Sequence, residues 1–152
     1  VGFEIGDYDP ALPLIIDPTL IYSSFLGGSS SEAGGVAFPA DDHAIGIALD
    51  AAGNLYVAGQ TASINYPTNP LAIGYTYGFS TYLGGDGPDY ANGLVVNAAG
   101  EMTVVGSTGS SNFPVFAAPQ PTNRGYSDAF VTRIISQSGV FTFAYSTYLG
   151  GY

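Results

Sequence analysis

The stretch ALDAAGNLYVAGQTASINYP, residues 48–67, is written a second time as VVNAAGEMTVVGSTGSSNFP, residues 95–114. The two copies align without a gap at an offset of 47. The match continues upstream, where DHAIGIALD at 42–50 meets DYANGLVVN at 89–97. A gapless match of this length is internal duplication, not shared composition. Within the first copy Ile45, Ile47 and Leu49 alternate with small residues, Asp50-Ala51-Ala52-Gly53 interrupts, and Leu55-Tyr56-Val57-Ala58 resumes. Such alternation specifies strands, whereas no helical period survives the frequent Gly and Pro. Gly53 is expected at positive φ in a type I turn with a glycine bulge, which closes a hairpin. Gly100 repeats it, and Gly139 in ISQSGVFTF reads as a third turn of the same kind. The second copy is the fuller one. Strands are expected over 91–97, 101–107, 127–135 and 140–148, as a four-stranded antiparallel meander.

A hexapeptide punctuates the duplication. STYLGG stands at residues 80–85 and again at 146–151, and the variant SSFLGG at 23–28. Each marks the end of a sheet. Phe25, Tyr82 and Tyr148 are expected as inward anchors, with Leu26, Leu83 and Leu149 buried beside them. The pairs Gly27-Gly28, Gly84-Gly85 and Gly150-Gly151 permit a sharp reversal into the next unit. The spacing is irregular. From Pro67 to Leu83 is 16 residues, but from Pro114 to Leu149 is 35, so the first unit lacks the equivalent of SDAFVTRIISQSGVF. Conversely, SSSEAGGVAF at 29–38 is extra. The chain divides into a lead-in of capping strands at 1–28, a shortened first repeat at 29–85 and a fuller second repeat at 86–152. The expected fold is all-β, with four-stranded antiparallel blades like those of a β-propeller. Two blades do not close a ring, and repeats bury their faces only against neighbours. An incomplete propeller or a sandwich-like arrangement completed by neighbouring chains is therefore expected. The alternating Val1–Ile5 stretch is the candidate for a donated strand.

Composition bounds the partners. Formal net charge is −10, from twelve acidic residues against Arg124 and Arg133, without Lys. This excludes a phosphate-neutralising surface, and so nucleic acid. Anionic membrane surfaces are disfavoured for the same reason. No apolar run is long enough for a membrane span. No cysteine is present, so thiol chemistry and disulfides are excluded. The opening Val1-Gly2-Phe3-Glu4 lacks a secretory-leader pattern, as expected of a mature product or an internal fragment. Low charge with abundant Gly, Ser, Thr and Tyr fits an extracellular or cell-surface setting.

Taken together, STYLGGDGPDYANGLVVNAAGEMTVVGSTGSSNFP and SDAFVTRI resemble the bacterial SBBP repeat, a seven-bladed β-propeller repeat family. The lead-in DYDPALPLIIDPTLIYSSFLGG resembles the segment that often precedes a first such repeat. The resemblance covers most of residues 8–152. It implies large, secreted or surface-attached proteins of many repeats, and no shared catalytic residues. The short first unit and the 29–38 insertion depart from the family pattern.

Candidate chemistry is sparse. His43 is the only histidine, and it aligns with Tyr90, so it reads as a packing or surface residue. No nucleophile motif accompanies it, and no further nitrogen or sulfur donors exist for zinc. Calcium is the more reasonable metal: Asp41 and Asp42, and equivalently Asp86 and Asp89, place carboxylates in Gly/Pro-bearing loops. The alternative is a turn in which Asp caps the backbone. Asp128 is expected to pair with Arg133 or Arg124. Tyr66, Tyr75, Tyr77, Tyr90 and Tyr126 lie in or near loops, where exposed rings can stack on a sugar or a protein; ordinary packing is the alternative. The expected function is a noncatalytic extracellular β-repeat protein with a structural or adhesive role, self-associating as a homo-oligomer and extending to filaments. A glycan- or protein-binding module is the second reading, and a propeller hydrolase or lyase the third. No cofactor beyond calcium is expected.

Overall fold

A computed structural model describes residues 26–28, 42–68 and 78–151. The lead-in up to Phe25 with its Val1–Ile5 stretch, the 29–38 insertion, Asp41, Tyr75 and Tyr77 lie outside the described residues. The described chain is all-β. Strands β1 (Asp42–Leu49) and β2 (Leu55–Thr61) form a two-stranded antiparallel sheet. Strands β3 (Asp89–Val96), β4 (Met102–Thr108), β5 (Asp128–Gln137) and β6 (Val140–Leu149) form a four-stranded antiparallel meander in chain order. The four expected strands of the second unit are thus present. The two sheets do not close a ring among the described residues.

The duplication is also a duplication of backbone detail. The β1–β2 register shifts between Ala44 and Gly46, and the β3–β4 register shifts between Ala91 and Gly93, at equivalent positions. Both hairpins turn through a glycine at positive φ, Gly53 at 82° and Gly100 at 75°. In the first turn Gly53 N donates to Asp50 O and Asp50 N to Asn54 O; Gly100, Asn97 and Glu101 repeat both bonds. The side chains keep the turn as well. Asp50 Oδ1 accepts from Ala52 N and Asn54 N, and Asn97 Oδ1 accepts from Ala99 N and Glu101 N. The acid and the amide have changed places, since Asn54 Nδ2 donates to Asp50 Oδ2 while Asn97 Nδ2 donates to Glu101 Oε2.

The third turn is of a different kind from the first two. Gln137 pairs with Val140, so only two residues link β5 to β6. Ser138 (φ 54°) and Gly139 (φ 81°) are both left-handed, as a type I′ hairpin requires. A glycine preceded by serine does not distinguish the two turn types; the length of the loop does.

The core sits in the second unit. Met102, Val104, Phe113, Phe130, Ile134 and Tyr148 are buried. Phe113 stacks obliquely on Phe130 (centroids 4.6 Å) and meets Tyr148 at 5.9 Å. Burial of each large side chain is worth about 1.5–3 kcal/mol. Thr108, Thr132 and Ser146 are buried beside them, and the Thr132 and Ser146 hydroxyls share a hydrogen bond of 2.8 Å. The first sheet packs on this core through Ala58, with Leu83 beside it. Gly46 permits the close approach: a side chain there would start 3.0 Å from Leu94 Cβ.

Candidate functional site

The repeated hexapeptide builds the same polar construction in both units. Tyr148 Oη donates to Ser110 O (2.9 Å) and accepts from Phe113 N (2.9 Å). Tyr82 Oη donates to Ser63 O (2.9 Å) and accepts from Tyr66 N (3.0 Å). Ser63 and Tyr66 are the counterparts of Ser110 and Phe113 at the offset of 47. The serines agree too: Ser146 Oγ donates to Pro114 O and Ser80 Oγ to Pro67 O. Even the threonines agree, each hydroxyl donating to the carbonyl of the following tyrosine. The phrase therefore clamps the loop that leaves the second strand of its unit.

Its surroundings differ. Residues 146–149 lie in β6, where Phe130 pairs with Tyr148 and Thr132 with Ser146. Residues 80–83 lie in no strand, and among the described residues of the first unit no strand takes the place of β5. Tyr148 is 1% exposed and Tyr82 is 49% exposed. Burial pushes the Tyr148 phenol above its ordinary pKa, with Asp89, Asp86 and Asp128 adding negative field and the Phe113 N–H opposing. The expectation that the three leucines bury together is corrected. Leu83 is half-buried against the core, but Leu26 and Leu149 are exposed. Leu149 follows Tyr148 in a strand, and alternation turns it to the opposite face.

The Gly-Gly pairs serve three aspartates. Gly28 N donates to Asp42 Oδ2 (2.8 Å), and Ser63 Oγ does the same (3.1 Å). Gly85 N (2.8 Å) and Ser110 Oγ (2.7 Å) bond Asp89 Oδ2 in the same way. A Cβ on Gly27 would lie 2.6 Å from Asp42 Oδ2, and one on Gly84 would lie 2.5 Å from Asp89 Oδ2. Gly150 meets Asp128 the same way, its Cβ position 2.2 Å from Oδ1. Only glycine brings the backbone so near a carboxylate. The Oδ1 atoms of Asp42 and Asp89 are buried and take no hydrogen bond. Burial raises the Asp42 pKa, but hydrogen bonds from Thr61, Gly28 and Ser63, with the field of His43, hold it below the ordinary carboxylate value.

Asp86 does separate work. Its two oxygens accept from Ser111 N and Ser111 Oγ, each at 2.9 Å, and these bonds hold its pKa low. The three described members of the expected calcium set thus each take donors from the protein, and Asp86 faces different donors from Asp89. No group of three or more His, Asp or Glu side chains converges among the described residues. The expected Asp128–arginine ion pair is replaced. Asp128 Oδ2 accepts from the Arg124 backbone N–H (2.9 Å) and from Gln120 Nε2 (2.8 Å). Arg133 instead pairs with Glu101, whose pKa this pair and Asn97 lower. Asp128 is a member of the Gly-Gly corner that the sequence reading missed. The signal was present, since SDAF precedes its own LGG as DDHA and PDYA follow theirs, but the order is reversed.

Of the loop tyrosines, Tyr66, Tyr90 and Tyr126 are among the described residues. Tyr66 is built into the clamp, its ring edge-on to Tyr82 at 6.2 Å. Tyr90 lies in β3 and is half-exposed, and Tyr126 is fully exposed. Tyr90 and Tyr126 make no ring contact with each other. His43 is exposed on β1, opposite Gln60. Among the described residues no helix is long and apolar enough to cross a membrane. No protein-family model, no curated protein and no solved structure matches the chain.

Proposed function

We propose that this chain is a noncatalytic β-repeat scaffold protein of the cell surface or extracellular space, with a structural or adhesive role exercised through self-association. One observation carries the reading. The clamp made by STYLGG is rebuilt bond for bond in a unit whose described residues form only two strands. The distinctive residues of the sequence are thereby spent on construction, and the construction leaves a sheet of two strands. A two-stranded sheet is marginal alone, and a neighbour that supplies strand or face completes it. The resemblance to propeller repeats supports blade-like units. The high acidity keeps such a scaffold off nucleic acid and anionic membranes. The aspartates also support construction, because each described one accepts hydrogen bonds from backbone or side-chain donors of the protein.

The test is negative-stain imaging and light scattering of the purified chain, with and without a calcium chelator. Oligomers or filaments that persist on chelation are expected. Assembly lost on chelation would move the aspartate loops to a calcium-binding role. A second reading, a glycan- or protein-binding module, draws on Tyr126, whose ring is fully exposed. It requires saturable binding that is lost in Tyr126→Ala.

A further inference from the structure

We infer that the outward face of the β1–β2 sheet docks the β3–β6 sheet of a second copy of this chain, head to tail, by the packing that already joins the two sheets within one copy. The inference rests on the self-association reading and names the two surfaces that carry it.

Ile47 pairs with Val57 and Leu49 with Leu55, so these four side chains share one face. They are 71%, 41%, 64% and 53% exposed in that order. A shallow depression of about 210 Å³ lies beside Ile47 and Val57, lined also by Ala44, Ile45 and Gly46. An apolar patch of this kind on a chain so acidic marks an interaction surface. The duplication says what covers it. At the offset of 47 the same positions are Leu94, Val96, Met102 and Val104. Those are half-buried or buried, and the first sheet packs on Leu94 and on the cluster that holds Val104. The covering side is the reverse face of β1–β2: Gly46 and Ala58 pair, as do Ala48 and Tyr56. Gly46 sits on Leu94, Ala58 packs on the core cluster, and Tyr56 Oη reaches to 3.2 Å from a Cβ placed on Gly100.

The second sheet has its own reverse face at the equivalent positions Gly93, Val95, Thr103 and Val105. Val95 and Val105 are 65% and 41% exposed. One chain therefore presents a socket on its first sheet and, on its second, the counterpart of the surface that fills such a socket. Socket and plug lie on opposite outer sides of the stacked sheets, so a two-fold dimer cannot engage both, whereas head-to-tail joining does and continues into a ring or a filament.

The test uses two variants of the whole chain. The socket variant is Ile47→Lys with Leu49→Lys. The plug variant is Val95→Lys with Val105→Lys. All four positions are exposed, and circular dichroism checks that each variant keeps the wild-type spectrum. Native mass spectrometry and light scattering read the mass. The wild type is expected to grow beyond a dimer with concentration. Each variant alone is expected to stay monomeric. An equimolar mixture is expected to give a complex of two chains and no more, since one intact socket meets one intact plug. That complementation also shows that both variants are folded. Wild-type assembly that both variants retain overturns the docking faces and leaves self-association standing. Assembly lost in the socket variant alone assigns the face to another occupant and overturns the inference. So does a mixture that stays monomeric. A monomeric wild type overturns the inference and the scaffold reading together.

Discussion

Tyr148 and Tyr82 make the same two hydrogen bonds in opposite solvent conditions, which makes them a matched pair for measurement. Tyr148→Phe leaves Ser110 O and Phe113 N unsatisfied in the buried core. A loss of about 1–3 kcal/mol is expected. For a chain of this length that lowers the unfolding midpoint by about 2–4 °C per kcal/mol. Tyr82→Phe frees groups that water can reach, and a loss under about 1 kcal/mol is expected. Denaturant titration of the two variants side by side checks the order. The carboxylates give a pH prediction of fixed sign. Asp42, Asp50, Asp86 and Glu101 all have folded-state pKa values below their ordinary ones. Their contribution is complete above the unfolded pKa of about 4 and is lost as pH falls through the lower folded values. The unfolding temperature should therefore hold steady through mild acid and fall below about pH 4. A fall beginning near neutrality would contradict these assignments.

At the scale of elements, the β5–β6 hairpin offers the sharpest lever. Ser138 stands at φ 54° in a two-residue type I′ turn, a position where asparagine is favoured. Ser138→Asn should stabilise the chain by about 0.5–1 kcal/mol, read as a higher denaturant midpoint at unchanged slope. The strands of the second unit were legible because alternation and turn glycines agree along that stretch. Several things were not. Leu149 looked like a core residue, but its neighbour Tyr148 claims the inward side, and alternation decides which of the two is buried. Asp128 looked like an ion-pair partner, because a strand that begins Asp-Ala-Phe-Val-Thr-Arg does not reveal that Glu101 lies beside Arg133. Asp42 and Asp89 read either as calcium ligands or as turn caps, because loop carboxylates are ambiguous. The Gly28 N–H that meets Asp42 lies 14 residues away, whereas the Gly85 N–H that meets Asp89 lies only four away.

At the scale of the whole molecule, the duplication yields two sheets of unequal size, a core concentrated in the larger, and an apolar face left open on the smaller. The hexapeptide holds its loop in both units whether or not a strand stands beside it. Small two-stranded sheets with open apolar faces persist by finding partners. The most direct measurement is sedimentation velocity of the intact chain across a wide concentration range. A sedimentation coefficient that rises with concentration past that of a dimer is expected. A single monomeric boundary at every concentration would contradict self-association.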